Sequence, residues 1–174
     1  MNYRIAIDPG VSGGIAWLDA DDIVQAQNMP RGMTAQVDRL KELATMYGPV
    51  SAILENVGGY VHGNAGPGAV KFARHVGNLE AALYAYGMPT LTPTPATWMK
   101  SMGFTVSKYL PASYKQMSAG KAKKAVRAKA ITAHKNAIKE AMARRYPHLE
   151  VTLKTADALG MLTWAMDKLE VVEL

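Results

Sequence analysis

The 174-residue chain contains no cysteine, and this absence removes several classes of chemistry. Disulfide bonds, cysteine-based zinc sites and thiol nucleophiles are excluded. Long apolar runs are lacking too, since no segment approaches the ~18 residues of a membrane-spanning helix. The start of the chain also lacks the charged region, apolar stretch and cleavage site of a secretory signal. We therefore expect a cytoplasmic protein with no membrane partner.

Acidic residues are scarce in one part of the chain. Residues 100–145 hold 12 of the 20 lysines and arginines but only one acid, Glu140, whereas the rest holds 8 basic and 13 acidic residues. Such a split favours docking of an acidic polymer on part of the surface. A solvated basic helix has the same composition, so charge alone leaves both interpretations open.

The length and an apolar content of 49% predict one α/β domain over residues 1–174. Its first half alternates strand and helix signals. YRIAID (3–8), IAWLDADD and DIVQAQNM predict an antiparallel three-stranded meander, with glycine-rich GVSGG at its first turn. Apolar residues at helical spacing predict a helix over 33–47, and SAILE directly after it predicts a strand that pairs in parallel with the first.

The second half is predicted to be mostly helical. Helices are expected over 69–86, 121–146 and 156–168, and MPTLTPTPATWMK reads as a short strand followed by a proline-bounded helix start. Residues 101–120 show no helical or strand periodicity. We therefore expect an extended basic loop that becomes ordered when a partner binds. The expected architecture is thus a mixed sheet flanked by helices.

Three carboxylates occupy notable places in this scheme. Asp8 ends the first strand, Glu55 ends the strand after the first helix, and Asp157 lies in the first turn of the last helix. Taken singly, they could be a turn former, a solvated loop residue and an acid favoured at a helix N-terminus. If the two strands are neighbours, their carboxylates share one end of the sheet. Crowded carboxylates repel unless a cation joins them, which favours a Mg²⁺ or Mn²⁺ site.

Four segments together resemble a known family. They are IAIDPGVSGGIAWLD, AILEN, PTPATWMK and TADALGMLTWA, and they span most of the chain except residues 101–120, which look like a basic insertion. The sequence resembles the RuvC-like Holliday-junction resolvases of the RNase H-like (retroviral integrase) superfamily, particularly the compact phage and prophage members. The resemblance implies an RNase H-like fold and an endonuclease that resolves four-way and related branched DNA in a bacterial or phage-infected cell.

The resemblance also implies a ligand set. Asp8, Glu55 and Asp157 would hold two divalent ions, Mg²⁺ or Mn²⁺, with Asp8 bridging them, for hydrolysis of a phosphodiester bond. One position departs from the family pattern, because Lys154 stands where an acid or a histidine is usual. Three interpretations remain: three carboxylates suffice, Lys154 contacts the scissile phosphate or tunes the attacking water, or the chain is a weakened nuclease. Glu150 is a possible substitute ligand.

A four-way junction requires a broad cationic surface. Tyr60 lies in the glycine-rich loop after Glu55, where the resemblance implies a side chain that probes the junction centre, although a lone tyrosine is also an ordinary loop anchor. Stacking on an unpaired base contributes about 1–3 kcal/mol. The other candidate DNA contacts are Arg74, Lys100, Lys108, Lys115, Lys121, Lys123, Lys124, Arg127 and Lys129.

Symmetric cutting of two strands favours a two-fold homodimer, with the helix from Val70 to Tyr86 as a candidate interface. Two rival functions stay open. One is a junction-binding protein without catalysis, which Lys154 and the basic segment favour. The other is a fragment of an actin-like ATPase, because that superfamily also has a glycine-rich turn after a strand-end aspartate; its duplicated domains exceed this chain's length.

Overall fold

The computed structural model describes residues 3–48, 50–57 and 66–169. A five-stranded sheet forms the centre of the fold, in the order β3-β2-β1-β4-β5. Its strands are β1 (Tyr3–Asp8), β2 (Gly14–Leu18), β3 (Val24–Asn28), β4 (Ser51–Leu54) and β5 (Thr90–Leu91). The first three form the predicted antiparallel meander, and β4 runs parallel to β1 as predicted.

Within these ranges, five α-helices surround the sheet: α1 (Met33–Tyr47), α2 (Pro67–Ala85), α3 (Pro95–Ser101), α4 (Lys121–Arg145) and α5 (Ala156–Leu169). The helix positions predicted from apolar spacing are therefore confirmed, with ends that differ by at most two residues. Within the three described ranges, no helix combines the length and the apolar character of a membrane span.

Alternating side chains of the central strand separate two apolar cores. Ile5 and Ile7 of β1 point to one face of the sheet, where they join Leu40 of α1 and Leu83 of α2. Ala6 points to the opposite face, which is covered by α3, α4 and α5. Because side chains of a strand alternate in direction, a strand that is apolar on both faces must be buried between two layers. The sheet is thus the middle layer of three.

The prediction of an extended loop over residues 101–120 is wrong. This segment contains two short 3₁₀ helices, Val106–Tyr109 and Ala112–Gln116. The ring of Tyr109 meets the edge of His134 on α4 at a centroid distance of 6.1 Å. Scattered contacts of this kind have no helical or strand period, so a pattern search does not detect them.

Candidate active site

Asp8 and Glu55 lie side by side at one end of the sheet. Asp8 is the last residue of β1, and Glu55 directly follows β4. The backbone amide of Glu55 donates to the carbonyl oxygen of Ile7 at 3.0 Å, which extends the parallel pairing by one residue. Strands β1 and β4 are therefore neighbours in the sheet.

Asp157 reaches the same end of the sheet on α5, which packs across β1 and β2. The turn before α5 is closed by the amide of Ala156, which donates to the carbonyl oxygen of Thr152 at 3.0 Å. This turn lies directly on β2, because a Cβ atom added to Gly14 would be only 2.6 Å from the carbonyl oxygen of Lys154. Glycine at position 14 thus lets the helix that carries Asp157 approach the sheet.

The neighbouring glycine has a similar role for Asp8. A Cβ atom on Gly13 would lie 2.0 Å from the carbonyl oxygen of Asp8 and 3.1 Å from its Cγ. No side chain fits there without moving the end of β1. The glycines of the DPGVSGG stretch therefore shape the carboxylate site itself.

The pKa values of all three carboxylates are raised. Burial, together with the charges of Glu55 and Asp157, raises the pKa of Asp8 to about 8. Burial also raises the pKa of Glu55 to about 7, with a hydrogen bond from Trp98 opposing and the charge of Asp157 adding to the rise. The pKa of Asp157 is raised chiefly by burial. Burial thus removes the water that would stabilise the charged form of each acid, and a bound cation would stabilise that form instead.

These residues fit a hard divalent cation by their donor chemistry. Carboxylate oxygens are the ligands that Mg²⁺ and Mn²⁺ prefer, and a cation between them offsets both their burial and their repulsion. Across the described residues, however, no group of three His, Cys, Asp or Glu side chains is already arranged around one ion position.

Two neighbouring residues of α4 belong to the site although the sequence did not single them out. The positive charge of Lys135 lowers the pKa of Asp8, Glu55 and Asp157. His134 is only 5% exposed, and its Nε2 has no hydrogen-bond partner within the described parts of the chain. Burial lowers the pKa of His134, while the charge of Asp157 raises it.

Of these two residues, only His134 could have been found from the sequence pattern. The residues of α4 that are buried are Ala130, His134, Ile138 and Met142, which recur every four positions. A histidine within such an apolar stripe marks a polar group turned toward the interior. Lys135 carries no comparable signal, because it is one of many lysines on this helix.

Trp98 of α3 is the third residue that the sequence did not identify. Its indole Nε1 donates to Oε1 of Glu55 at 2.8 Å, and the exposed fractions of the two side chains are 0% and 5%. The residue lies within PTPATWMK, one of the segments that carried the resemblance, but nothing in that pattern indicates a partner.

Lys154 is exposed in the turn before α5, and its backbone amide donates to Oγ1 of Thr152 at 3.2 Å. Its charge is not among the causes that shift the pKa values of the three carboxylates, whereas that of Lys135 is. Glu150 is also exposed. In this structure the cation that acts on the carboxylates therefore comes from α4 rather than from the turn before α5.

The candidate DNA contacts fall into three groups. Two lysines are engaged within the protein: Lys108 donates to the carbonyl oxygen of Gly103 at 2.6 Å, and Lys123 donates to that of Met117 at 2.8 Å. Tyr60 lies outside the described residues. The exposed candidates are Arg74, Lys100, Lys115, Lys121, Lys124, Arg127 and Lys129.

No protein-family model and no curated protein matches the sequence, but solved structures match the fold. The chain is similar to Thermus thermophilus RuvC in complex with a Holliday junction substrate, with 13% identity and a TM-score of 0.56, over 99% of this chain and 97% of that one. A second T. thermophilus RuvC structure has 14% identity and a TM-score of 0.51, over 98% of this chain and 96% of that one. The predicted fold class is therefore confirmed: the chain has the RNase H-like fold of RuvC.

Proposed function

We propose that this protein is a structure-selective endonuclease that resolves four-way and related branched DNA junctions by metal-dependent hydrolysis of phosphodiester bonds. The observation that carries the proposal is the meeting of Asp8, Glu55 and Asp157 at one end of the sheet, where burial raises all three pKa values and repulsion from neighbouring carboxylates adds to the rise at Asp8 and Glu55. One of the similar structures is a RuvC bound to a Holliday junction, which supports this choice of substrate. We also propose a compact resolvase of the phage or prophage kind, acting in the cytoplasm.

In this proposal the three carboxylates hold two divalent ions, Mg²⁺ or Mn²⁺. When bound, such ions lower the pKa of a water that attacks the phosphate and stabilise the leaving oxygen. The chain's own residues hold and orient the site: β1 and β4 fix the backbone of Asp8 and Glu55, and Gly14 admits the turn before α5. Lys135 places a positive charge beside the carboxylates, where the negative phosphate of the substrate would lie.

The DNA is proposed to follow α4 toward this site. Successive steps of three, three and eight residues put Lys121, Lys124, Arg127 and Lys135 along one side of the helix, all of them exposed. At 1.5 Å per residue this row extends over roughly 20 Å from the carboxylates. Lys129 is exposed as well but falls on another side of the same helix. Arg74, Lys100, Lys115 and, in the loop after Glu55, Tyr60 would contact other arms of the junction.

A homodimer is proposed because symmetric nicking requires two active sites. Helix α2 supports this choice, since Leu79 and Leu83 pack into the core while Val70 and Tyr84 remain 61% and 89% exposed. Apolar side chains on the outer side of a helix are typical of an interface with a partner. Sedimentation of the purified protein tests this, and a monomer at the concentrations used for nicking would contradict it.

The decisive experiment is nicking of a synthetic four-way junction in Mg²⁺ or Mn²⁺, with linear duplex DNA as the substrate control. We expect paired, symmetric nicks in the junction, little cleavage of the duplex, and no cleavage in EDTA. An Asp8→Asn variant prepared in the same way controls for contaminating nucleases.

A junction-binding protein without catalysis is the second candidate. It is favoured by Lys154, which stands where the resemblance implies an acid, and by the exposed basic residues of α4. Tight junction binding without nicking in any divalent ion would decide for this candidate. ATP hydrolysis without nicking would instead indicate the actin-like ATPase.

A further inference from the structure

The most deeply buried polar contact of the candidate site involves a residue outside the carboxylate set. The Nε1–H of Trp98 donates to Oε1 of Glu55 at 2.8 Å, with the tryptophan side chain completely buried. An indole N–H is a donor only and makes one hydrogen bond. This donor is therefore committed to one oxygen of Glu55.

Trp98 is itself held on two sides. Helix α3 begins at a capped position, where Oγ1 of Thr94 accepts from the amide of Thr97 at 3.3 Å and Pro95 occupies the first turn. The ring then fits against α5, because a Cβ atom added to Gly160 would lie 2.6 Å from Cζ3 of the indole. Glycine at position 160 thus provides the slot for the ring.

This arrangement connects two of the three carboxylates. Gly160 lies one turn after Asp157 on α5, so the ring that contacts Glu55 also packs against the helix that carries Asp157. A movement of α3 or α5 would displace the indole and with it the carboxyl group of Glu55. The two acids are therefore held in register by one rigid side chain.

The hydrogen bond also gives the two carboxylate oxygens of Glu55 different roles. A glutamate side chain has three rotatable bonds, and fixing Oε1 removes most of this freedom before a ligand arrives. The other oxygen, Oε2, remains to meet a cation. In addition, a donor to the charged form favours ionisation, which opposes the effect of burial on this side chain.

We propose that Trp98 is a positioning residue that fixes Glu55 through Oε1 and so presents Oε2 to a divalent cation. This rests on the proposed function, because it takes Glu55 to be a metal ligand. Loss of a hydrogen-bond partner of a metal ligand commonly reduces metal affinity or activity by about 10- to 100-fold. We expect a loss of metal affinity of this order here.

The test replaces the N–H while keeping the shape of the ring. At position 98, β-(3-benzothienyl)alanine substitutes sulfur for the N–H in a bicyclic ring of nearly equal size. Trp98→Phe serves as the simpler variant, with a cavity as its side effect. The matched control is the same benzothienyl replacement at Trp164, a buried tryptophan of the same core that makes no hydrogen bond to Glu55.

Mn²⁺ binding is measured by the electron paramagnetic resonance signal of the free ion, in the absence of DNA. We expect the benzothienyl variant at position 98 to bind Mn²⁺ about tenfold or more weakly than the wild type, and the variant at position 164 to bind normally. Nicking should then need more Mn²⁺ for half-maximal rate, with a rate at saturation close to the wild type.

Two outcomes separate the inference from the function on which it rests. If the wild type binds Mn²⁺ and nicks junctions while the position-98 variant has unchanged affinity, the role of Trp98 is refuted and the function stands. If the wild type neither binds Mn²⁺ nor nicks, the proposed function is refuted and this role with it. Thermal unfolding of each variant shows whether a loss of affinity reflects misfolding.

Discussion

The amide of Glu55 donates to the carbonyl oxygen of Ile7 at 3.0 Å, and this bond sets the carboxylate of Glu55 beside that of Asp8. Neighbouring parallel strands end at the same edge of a sheet, so two side chains 47 positions apart in the sequence come together. The charge of Glu55 is one of the causes that raise the pKa of Asp8.

Replacing Asp8 is expected to remove nicking while junction binding persists. Asp8→Asn deletes a negative oxygen from the proposed ligand set, and we expect the rate to fall by at least about a hundredfold. Junction affinity, measured by fluorescence anisotropy in Ca²⁺, should change by less than about threefold, because Asp8 is not among the proposed phosphate contacts. Asp38→Asn, at an exposed position on α1, is the matched control. Near-normal cleavage by Asp8→Asn would remove Asp8 from the mechanism.

The stability of the metal-free protein should fall as the pH rises. The pKa of Asp8 is about 8 in the folded protein but 3.8 in its ordinary state, so the folded form binds this proton more tightly than the unfolded form. The stabilisation is therefore complete below about pH 4 and is lost as the pH rises through about 8. Glu55 acts in the same direction between its ordinary 4.5 and about 7. Urea unfolding in EDTA across this range measures the slope.

One variant and one ligand test why the stability of the metal-free protein changes with pH. Asp8→Asn should flatten it and raise the free energy of unfolding at pH 8 in EDTA, because a neutral amide replaces a buried charge. Saturating Mn²⁺ should stabilise the wild type most at high pH, where the ligands are ionised. A wild type whose stability is flat from pH 4 to pH 8 would contradict the burial of these acids.

Lys135 and Lys154 are expected to differ in their effect on the same acids. The charge of Lys135 lowers the pKa of all three carboxylates, so Lys135→Met should reduce the metal-free stability at pH 8 and have little effect near pH 4. Lys154→Met removes an exposed charge and should leave the pH dependence unchanged. Chemical unfolding at the two pH values distinguishes them. A larger effect of Lys154→Met would instead assign this role to the turn before α5.

The proposed path of the DNA predicts which lysines matter on α4. Lys124→Ala and Arg127→Ala should each weaken junction binding and reduce the dependence of log Kd on log salt concentration by about 0.9. Lys129→Ala removes the same kind of charge from another side of the helix and should leave the slope unchanged. Binding titrations over a range of KCl concentrations provide the measurement. Equal effects of all three substitutions would indicate a diffuse charge effect rather than a defined path.

Gly14 is expected to be required for the placement of Asp157. A Cβ atom there meets the carbonyl oxygen of Lys154 at 2.6 Å and that of Gln27 at 2.9 Å, and both are backbone atoms that cannot rotate away. Gly14→Ala should therefore cost about 1–3 kcal/mol of stability and reduce nicking by displacing the start of α5.

Gly77→Ala is the control for this substitution. Gly77 lies within α2 with no atom near the added Cβ, so alanine there should stabilise the protein by about 0.5–1 kcal/mol. Calorimetry of both variants supplies the test of stability, and nicking is assayed for Gly14→Ala alone, because Gly77 lies with Val70 and Tyr84 on the exposed side of α2. Normal stability of Gly14→Ala would show that the turn before α5 can move without cost.

The order of strands and helices was largely predictable, because local patterns carry it. Alternation in β1 and helical spacing in α1 follow from burial on one face, and a strand, helix, strand succession brings β4 beside β1. The segment 101–120 was not predictable in this way, since Tyr109 and Tyr114 make isolated contacts with α4 that have no period.

The sequence by itself determined the strand ends that carry Asp8 and Glu55, because residue patterning specifies where a strand ends and which strand follows. Only the tertiary structure decided which other residues join them. Trp98 lies on α3, and His134 and Lys135 lie on α4. Both helices cover one face of the sheet, and their contacts depend on helix packing over distances that sequence spacing does not encode. The same packing explains the glycines of the first turn, whose missing side chains leave room for Asp8 and for the turn before α5.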